Sequence, residues 1–501
     1  MTDAQLPPVL SKCRFQTGLQ CLKRLYLECY HHELADPVDA GLQARFDTGN
    51  AVGEVARQRF PNGRLIEESH LEHDRAVRTT RDLLDDATIP ALYEAAFTFQ
   101  CIRMRSDVLK RNGLGEFDLV EVKSTTGVKP EHITDVAIQV YASEGSGVPI
   151  KRAYLMHLNN AYVYQGGDHD LEQLFTLEDV TEKARRFVAE NVPEDLARMW
   201  ATLQLDVAPD IETGRHCTRP YTCSFFGYCH QDEAEHPIRE LLQLKERDRE
   251  SLRASGILDI GSIPADFPGL SSLQRRMRDS VVSGRSSISP ELGPKLREVT
   301  FPASFLDFET IMQAIPLYVG TRPYQTIPFQ WSLHVRDSYR QIRHDSFLNH
   351  DARDPRERFV TRLLEAIPPE GSIIAYSTYE RTIMRELAQA FPQYEDRLLA
   401  LCDRMVDLLK LVRDNYYHPE FHGSYSLKSV LPVLVPGLSY ADMEIPEGLA
   451  ASMSYARMVA AETPEAERAK IREALLAYCQ RDTEAMVRVY DALLAEAGGN
   501  P

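Results

Sequence analysis

Three cysteines with five residues between neighbours place the strongest constraint on how this chain can fold. Cys217, Cys223 and Cys229 lie in HCTRPYTCSFFGYCHQ, among aromatic residues and a proline. A zinc ribbon would need cysteine pairs two residues apart, and that spacing is absent from the stretch. Three widely spaced thiols and one distant cysteine also suit an iron–sulphur cluster. A metal centre would tie two distant stretches together, and buried inert thiols are the alternative.

Candidates for a distant fourth ligand recur every eight residues near the start of the chain, at Cys13, Cys21 and Cys29. Cys21 lies in GLQCLKRLYLE, which predicts the start of a helix. The N-terminus lacks the charged-then-apolar layout of a signal peptide, so we expect a cytoplasmic protein with free or metal-bound thiols. No apolar run approaches the roughly 20 residues of a membrane helix, so no membrane partner is expected.

Changes in composition along the chain predict a multi-domain α/β protein. Its 501 residues suffice for two or three domains. We expect a first domain over 1–235, a helical connector with a helix–hairpin–helix-like turn over 236–298, and a last domain over 299–501. The formal net charge of −17 argues against a uniformly basic nucleic-acid-binding surface, although a local basic groove remains compatible with it.

Two carboxylates and a lysine form a first candidate site. Asp107 and the triplet containing Glu121 and Lys123 lie in apolar stretches that predict two strands. Alternate strand residues face one side, and carboxylates on neighbouring strands can hold a hard divalent cation. The lysine can orient the attacking water. An isolated pattern of this kind is more often a solvent-exposed strand face.

The helix in DVAIQVYA adds Gln139 and Tyr141 to this pattern. With it, the first domain resembles the RecB-like PD-(D/E)XK nucleases, in particular the iron–sulphur branch that includes the CRISPR-associated RecB-like nucleases. The resemblance implies a restriction-endonuclease-like fold and Mg²⁺ or Mn²⁺ bound by Asp107 and Glu121. It also implies one structural [4Fe–4S] cluster, with Zn²⁺ as the alternative, whose ligands would be Cys21, Cys217, Cys223 and Cys229.

One expected ligand of that family is missing here. Its members usually carry a metal-binding histidine on an early helix, and Gly53 stands at that place. Glu54 adjoins it, and Glu94 in LYEAAFTF is another candidate ligand. The departure predicts an altered or weakened cation site.

A second acidic constellation lies in the last domain. LDFET supplies Asp307 and Glu309 on one face of a predicted strand. Glu380 starts a predicted helix after a strand, and Tyr478 and Asp482 lie one turn apart on a late helix. Four carboxylates can hold two cations about 4 Å apart, which would clamp the attacking and leaving oxygens of a phosphodiester. The tyrosine would position the water.

This order of motifs resembles the DEDD exonucleases, whose fold is RNase H-like and whose expected polarity is 3′→5′. The second motif departs from the family, because Ser377 and Glu380 stand where Asn and Asp are usual. Lys428, in GSYSLKSVLP, matches an "SLK" segment and is a candidate phosphate contact. In the connector, the candidate phosphate contacts are Arg275, Arg276 and Arg278.

Together these patterns predict a metal-dependent nuclease with two active sites and a structural cluster. Its expected partner is DNA with single-stranded ends, in DNA repair or anti-phage defence. The alternative is a nucleic-acid-binding scaffold in which one or both sites have lost turnover.

Overall fold

The structure is a computed structural model that describes residues 9–38, 40–113 and 115–498. Its contacts divide the chain into a first unit, Met1–Asp232 with Gln313–Gln325, and a second unit, Glu233–Met312 with Thr326–Pro501. Both units combine helices with a sheet, so the predicted multi-domain α/β class is confirmed. The predicted boundaries at 235 and 298 stay predictions. Residues 313–325, expected in the last domain, pack with the first unit.

The first unit contains one seven-stranded sheet with the order β2-β3-β4-β5-β6-β7, and β1 pairs with β4. β3, β4 and β5 form an antiparallel meander, whereas β5 and β6 are parallel. The strands are β1 Leu10–Ser11, β2 Arg64–Leu65, β3 Ala91–Phe99, β4 Ile102–Asn112, β5 Glu116–Lys123, β6 Ile150–Leu158 and β7 Phe175–Asp179.

The helices of the first unit cover its sheet. α5 makes the crossover between the parallel strands β5 and β6, and it begins with Pro130, which suits a first helical turn. Its apolar residues, among them Val136 and Ile138, pack in the core with Leu119. The helices are α1 Lys12–Gln20, α2 Leu22–Tyr30, α3 Ala40–Arg57, α4 His73–Leu84, α5 Pro130–Gly145, α6 Leu171–Leu174, α7 Thr181–Glu190, α8 Val192–Leu203 and α9 Phe226–Cys229.

The second unit is built on a five-stranded sheet with the order β11-β10-β9-β12-β13. β9 lies in the middle, antiparallel to β10 and parallel to β12. β10 is buried along nearly its whole length because two helices, α13 (Arg356–Ala366) and α19 (Glu465–Glu496), both contact it. The strands are β8 Ser287–Ile288, β9 Ala303–Met312, β10 Thr326–Arg336, β11 Ile342–Leu348, β12 Ile373–Ala375, β13 Met405–Asp407 and β14 Tyr416–Tyr417, and β8 pairs with β14 alone.

Three helices, α10, α11 and α12, lie in the predicted connector, with a 3₁₀ turn at Ile260–Ser262 between the first two. The long α19 contacts β9 and β10 and carries the last predicted motif. The helices of the second unit are α10 Glu246–Ala254, α11 Ser272–Ser283, α12 Leu292–Arg297, α13 Arg356–Ala366, α14 Tyr379–Ala390, α15 Glu395–Asp403, α16 Leu408–Asn415, α17 Leu427–Leu434, α18 Gly448–Val459 and α19 Glu465–Glu496. Within the described ranges, no helix combines the length and apolar character that crossing a membrane requires.

Candidate active sites

The first site lies where β4 and β5 pair. Val108 pairs with Val120, so Asp107 and Glu121 are the next residues of the two strands in register. Asp107 Oδ2 accepts a 2.6 Å hydrogen bond from the backbone N–H of Val122, and Glu121 is buried. The structure therefore brings the two predicted carboxylates together.

Two lysines bind the same oxygen of Glu121. Lys123 Nζ lies 2.9 Å from Glu121 Oε1 and also pairs with Asp135 of α5. Lys12 Nζ, from the first residue of α1, donates to Glu121 Oε1 at 2.7 Å. Lys12 was not predicted, because 109 residues separate it from Glu121 and only the pairing of β1 with β4 brings α1 here.

The two carboxylates, Asp107 and Glu121, have pKa values shifted in opposite directions. Desolvation and the neighbouring Glu121 raise the pKa of Asp107 to about 7. Desolvation would also raise the pKa of Glu121, but the ammonium groups of Lys12 and Lys123 outweigh it and hold that pKa far below its usual range. The first site thus neutralises its buried carboxylate with the chain's own cations.

The remaining predicted residues divide into two groups. Gln139 Nε2 donates to Glu121 Oε2 at 2.6 Å, so Gln139 belongs to the site. Tyr141 does not, since residues two apart on a helix point to different faces, and its hydroxyl donates to Gln100 instead, at 2.8 Å. Glu94, whose φ of +57° is unusual for a glutamate, accepts from Arg57 at 2.9 Å and raises the pKa of Asp107.

The residues at the expected histidine position contribute nothing visible to this site. Gly53 lies on α3 with open space around the place of a Cβ atom, and Glu54 is exposed. The acidic groups at the first site are therefore Asp107 and Glu121, with Asp135 beside Lys123 and Glu94 at the margin.

The second site gathers carboxylates from three elements. Asp307 and Glu309 lie on β9, Glu380 in the first turn of α14, and Asp482 on α19. All but the half-buried Asp307 are buried. Cys479, which was not predicted, is also on α19, and its sulphur lies 3.6 Å from Asp307 Oδ2.

The four carboxylates interact strongly with one another. Desolvation, followed by the charges of Asp482, Glu309 and Glu380, raises the pKa of Asp307 well above its usual value. Desolvation likewise raises the pKa of Glu380 to about 7 and that of Asp482 to about 6. Four such groups cannot all be ionised unless cations neutralise them.

The donors at this site fit a divalent cation. Ligand atoms of Asp307, Glu309 and Cys479 all lie within 4.8 Å of one another. Glu380 Oε2 is buried and has no hydrogen-bond partner, so it is an acceptor available to an ion. Oxygen-rich donor sets of this kind suit Mg²⁺ or Mn²⁺.

Tyrosines and a lysine border the carboxylates. Tyr440, which was not predicted, donates a 2.5 Å hydrogen bond to Asp482 Oδ1. Its ring centroid lies 6.1 Å from that of the predicted Tyr478. Lys428 Nζ lies 5.5 Å from the Tyr440 ring and lowers the pKa values of Glu309 and Asp482, while it donates to the Pro446 carbonyl at 2.6 Å.

Two polar residues near Glu380 accept backbone N–H groups where helices begin. Ser377 Oγ accepts the backbone N–H of Tyr379 at 3.0 Å, at the start of α14. Asp407, which was not predicted, caps α16 by accepting the N–H of Lys410 at 2.8 Å, and its charge raises the pKa of Glu380. The departure at Ser377 therefore has a local structural role.

The three connector arginines form tertiary hydrogen bonds. Arg275 donates to the Ala265 carbonyl at 3.2 Å and Arg278 to the Ile263 carbonyl at 2.8 Å. Arg276 donates to the Arg413 carbonyl at 2.7 Å. These bonds explain the arginines as stabilising contacts within the second unit, and a role in phosphate binding stays a prediction.

All four cysteines predicted as cluster ligands line one pocket, together with Lys23, Arg24 and His216. Cys21 lies at the break between α1 and α2, while Gln20 Nε2 donates to the His216 carbonyl at 2.7 Å and to the Tyr221 carbonyl at 2.8 Å. The start of the unit is thereby held against the segment that carries the three evenly spaced cysteines. The ligands named by the resemblance are Cys21, Cys217, Cys223 and Cys229.

Backbone N–H groups point at two of the sulphurs. Gly214 N lies 3.3 Å from Cys217 Sγ, and Phe225 N lies 3.4 Å from Cys223 Sγ. Burial raises the pKa of Cys223, and the neighbouring Cys21 and Cys229 add to that rise. Such thiols become ligands only when a metal displaces their protons.

Comparisons with known proteins match parts of the chain. Residues 304–426 match the family described as "Domain of unknown function (DUF2779)". No curated protein matches the chain. Solved structures with a likeness include the protein SSO0001, at 13% identity over 46% of this chain and 91% of that one, with a TM-score of 0.24.

Another likeness is to an alkaline exonuclease (LHK-Exo) from Laribacter hongkongensis. Its identity is 14%, over 40% of this chain and 92% of that one, and its TM-score is 0.19. At such TM-scores, neither likeness decides the fold or the activity of this chain. The match that lies on a described site is the family of unknown function, which spans Asp307, Glu309 and Glu380.

Proposed function

We propose that the protein is a divalent-cation-dependent nuclease whose second unit removes nucleotides from 3′ ends of single-stranded DNA. The observation that carries the proposal is the convergence of Asp307, Glu309, Glu380 and Asp482, whose pKa values are all raised. Within a fold, this arrangement costs stability, which a bound cation would offset. The DEDD-like order of the motifs supports the RNase H-like assignment.

The chain's own groups divide the work at this site. The carboxylates would hold two cations, which supply a Lewis acid and an activated water when bound. Tyr478 would orient that water, and the hydrogen bond from Tyr440 to Oδ1 favours the ionised form of Asp482. Lys428, beside the two tyrosine rings, is placed to contact a substrate phosphate.

Cleavage assays with Mg²⁺ or Mn²⁺ on end-labelled strands test the proposal. We expect stepwise shortening from the 3′ end of single-stranded DNA, and a blocked 3′ end should protect the substrate from the second unit. RNA and duplex DNA run beside it decide the substrate class. Tight binding without cleavage of any 3′ end in either cation would contradict the enzyme and favour the scaffold.

For the first unit we propose a second, RecB-like nuclease site. Asp107 and Glu121 would hold the cation, and Lys123 would orient the water. One observation favours a different role, in which the unit binds nucleic acid without cleaving it: Lys12 and Lys123 both bind Glu121 Oε1 and would compete with a cation for that oxygen. Residual cleavage in an Asp307→Asn protein, abolished by Asp107→Ala, would support the nuclease. No residual cleavage would support the binding role.

We also propose that the four-cysteine pocket holds a structural [4Fe–4S] cluster. All four cysteines line one pocket, which supports a metal centre that ties the two stretches together. Four thiolates are the ligand set of a [4Fe–4S] cluster, and a zinc ion bound by the same four cysteines is the alternative.

Anaerobic purification followed by iron and zinc analysis tests the cluster. We expect about four irons per chain and absorbance near 400 nm, both lost in Cys223→Ser. Cys13→Ser is the matched control, because Cys13 is exposed and lies outside the pocket. Stoichiometric zinc without iron would replace the cluster with the zinc alternative.

A further inference from the structure

A cluster of two histidines and a glutamate in the second unit lies outside every site described above. His236, Glu240 and His422 each offer one ligand atom, and these atoms all lie within 4.8 Å of one another. His422 Nδ1 lies 3.3 Å from Glu240 Oε2, and the two imidazole rings stack with centroids 5.1 Å apart. We propose that this triad binds a zinc ion that clips two segments of the unit together.

The distance between His422 and Glu240 fits two ligands of one tetrahedral ion. With metal–ligand bonds of about 2.0–2.1 Å, the ligand atoms at two corners of a tetrahedron lie about 3.3–3.4 Å apart. The donors, two imidazole nitrogens and a carboxylate oxygen, form a set that zinc commonly takes in proteins. An ordinary charge-assisted hydrogen bond would be shorter, near 2.7–2.9 Å.

A second observation points to a ligand at the same place. His236 Nδ1 is buried and has no hydrogen-bond partner. A buried polar nitrogen that lacks a partner costs free energy, which a coordinated cation would remove. An ion pair between Glu240 and His422 alone would leave that nitrogen unexplained.

The backbone holds both segments in place without the ion. His236 O accepts the N–H of Ile260 at 2.8 Å, and Ile238 N donates to Leu258 O at 2.9 Å, which anchors the segment 236–240. On the other side, His422 and Gly423 both have positive φ values, of 46° and 71°. A Cβ atom on Gly423 would lie 2.2 Å from the Glu240 carbonyl oxygen, so only glycine permits this approach.

The site leaves one coordination position for water. Three protein ligands fill three corners of a tetrahedron, and the His422 side chain is 44% exposed, so solvent reaches the fourth. The role we assign is to join two segments, because the triad links the connector start to the loop before α17. It is independent of the proposed nuclease function.

Zinc binding to the full-length protein tests the proposal. We expect His422→Gln and Glu240→Gln each to lower the zinc content by one ion per chain, or to weaken its binding at least about 10-fold, with iron content unchanged. His418→Asn is the matched control, because it lies four residues before His422, outside the triad, and asparagine keeps an acceptor for the Glu420 N–H.

Hydrogen exchange gives a readout that zinc at the cysteine pocket would not move. Added Zn²⁺ should slow exchange in 236–240 and 418–424 of the wild type and of His418→Asn, but not of His422→Gln. The proposal is overturned if zinc content and affinity are equal in the wild type and both triad variants, or if zinc leaves both segments unchanged.

Discussion

The two carboxylate sites meet the same physical problem in opposite ways. In the first unit, Lys12 and Lys123 neutralise the buried Glu121, whose pKa is lowered. In the second unit, Glu309 and Glu380 have no such lysine partner at salt-bridge distance among the described residues, and their pKa values are raised. The first site is neutralised by the chain's own lysines, whereas charge balance at the second requires bound protons or cations.

The largest difference should follow from removing a carboxylate of the second site. Asp307→Asn should lower 3′→5′ cleavage at least about 10³-fold, because a lost metal ligand removes several kcal/mol of transition-state stabilisation. Initial rates on 3′-ended single strands at saturating Mn²⁺ measure it. Glu473→Gln, an exposed glutamate on α19, is the control and should cleave normally. Undiminished cleavage in Asp307→Asn would remove the site from the reaction.

Removing a lysine of the first site should make the stability of the first unit depend on a bound cation. Lys12→Met leaves a buried carboxylate less compensated, which should destabilise the first unit by about 3 kcal/mol without metal, and Mn²⁺ should restore part of the loss. Lys12→Arg, which keeps the charge, is the control.

Trp200 reports on the first unit during chemical unfolding when Trp331 is replaced by Phe. Phenylalanine loses no hydrogen bond there, because Trp331 Nε1 is buried without a partner, and the cost of the smaller ring falls on the core of the second unit. A Lys12→Met protein that is as stable as Lys12→Arg, with no response to Mn²⁺, would show that Lys12 does not stand in for a cation.

The sites should also differ in the sign of their pH dependence. A carboxyl with a raised folded pKa binds its proton more tightly when folded, so metal-free stability of the second unit should fall as the pH rises towards 7 and beyond. For Glu380, a pKa change from 4.5 to about 7 corresponds to a loss of order 3 kcal/mol. Glu121, with its lowered pKa, contributes stability above pH 4.5 that is lost on acidification.

The fluorescence of Trp331 in a Trp200→Phe protein follows the unfolding of the second unit. Measured across the pH range with EDTA and with Mn²⁺, it gives the change in the free energy of unfolding with pH. Glu380→Gln should flatten it, because the amide does not titrate, and Mn²⁺ should flatten it in the parent protein. If metal-free stability rises between pH 5 and 8, the four carboxylates are not the strained cluster described above.

The smallest effects should come from the two tyrosines. Tyr478→Phe should lower the cleavage rate about 10-fold, because the hydroxyl only orients the water while the cations stay bound. Tyr440→Phe should instead move the acidic limb of the pH–rate profile upward, because its hydrogen bond lowers the pKa of Asp482. Equal pH profiles for Tyr440→Phe and the parent enzyme would contradict that role.

The sequence by itself determined the residues whose chemistry depends on local spacing. Asp307 and Glu309 share a strand, Glu121 and Lys123 share another, and Tyr478 and Asp482 lie on one helix, because the periods of strands and helices fix such pairs. The multi-domain α/β class followed from the same periodicity and the changes in composition.

Only the tertiary structure decided which distant residues join those pairs. Lys12 reaches Glu121 across 109 residues and Tyr440 reaches Asp482 across 42, and neither has a local pattern that predicts the contact. The packing of α5 turned Gln139 towards the carboxylates and Tyr141 away from them. Desolvation, neighbouring charge and hydrogen bonds set the pKa values at both sites, and they are properties of the packed protein that spacing along the chain does not encode.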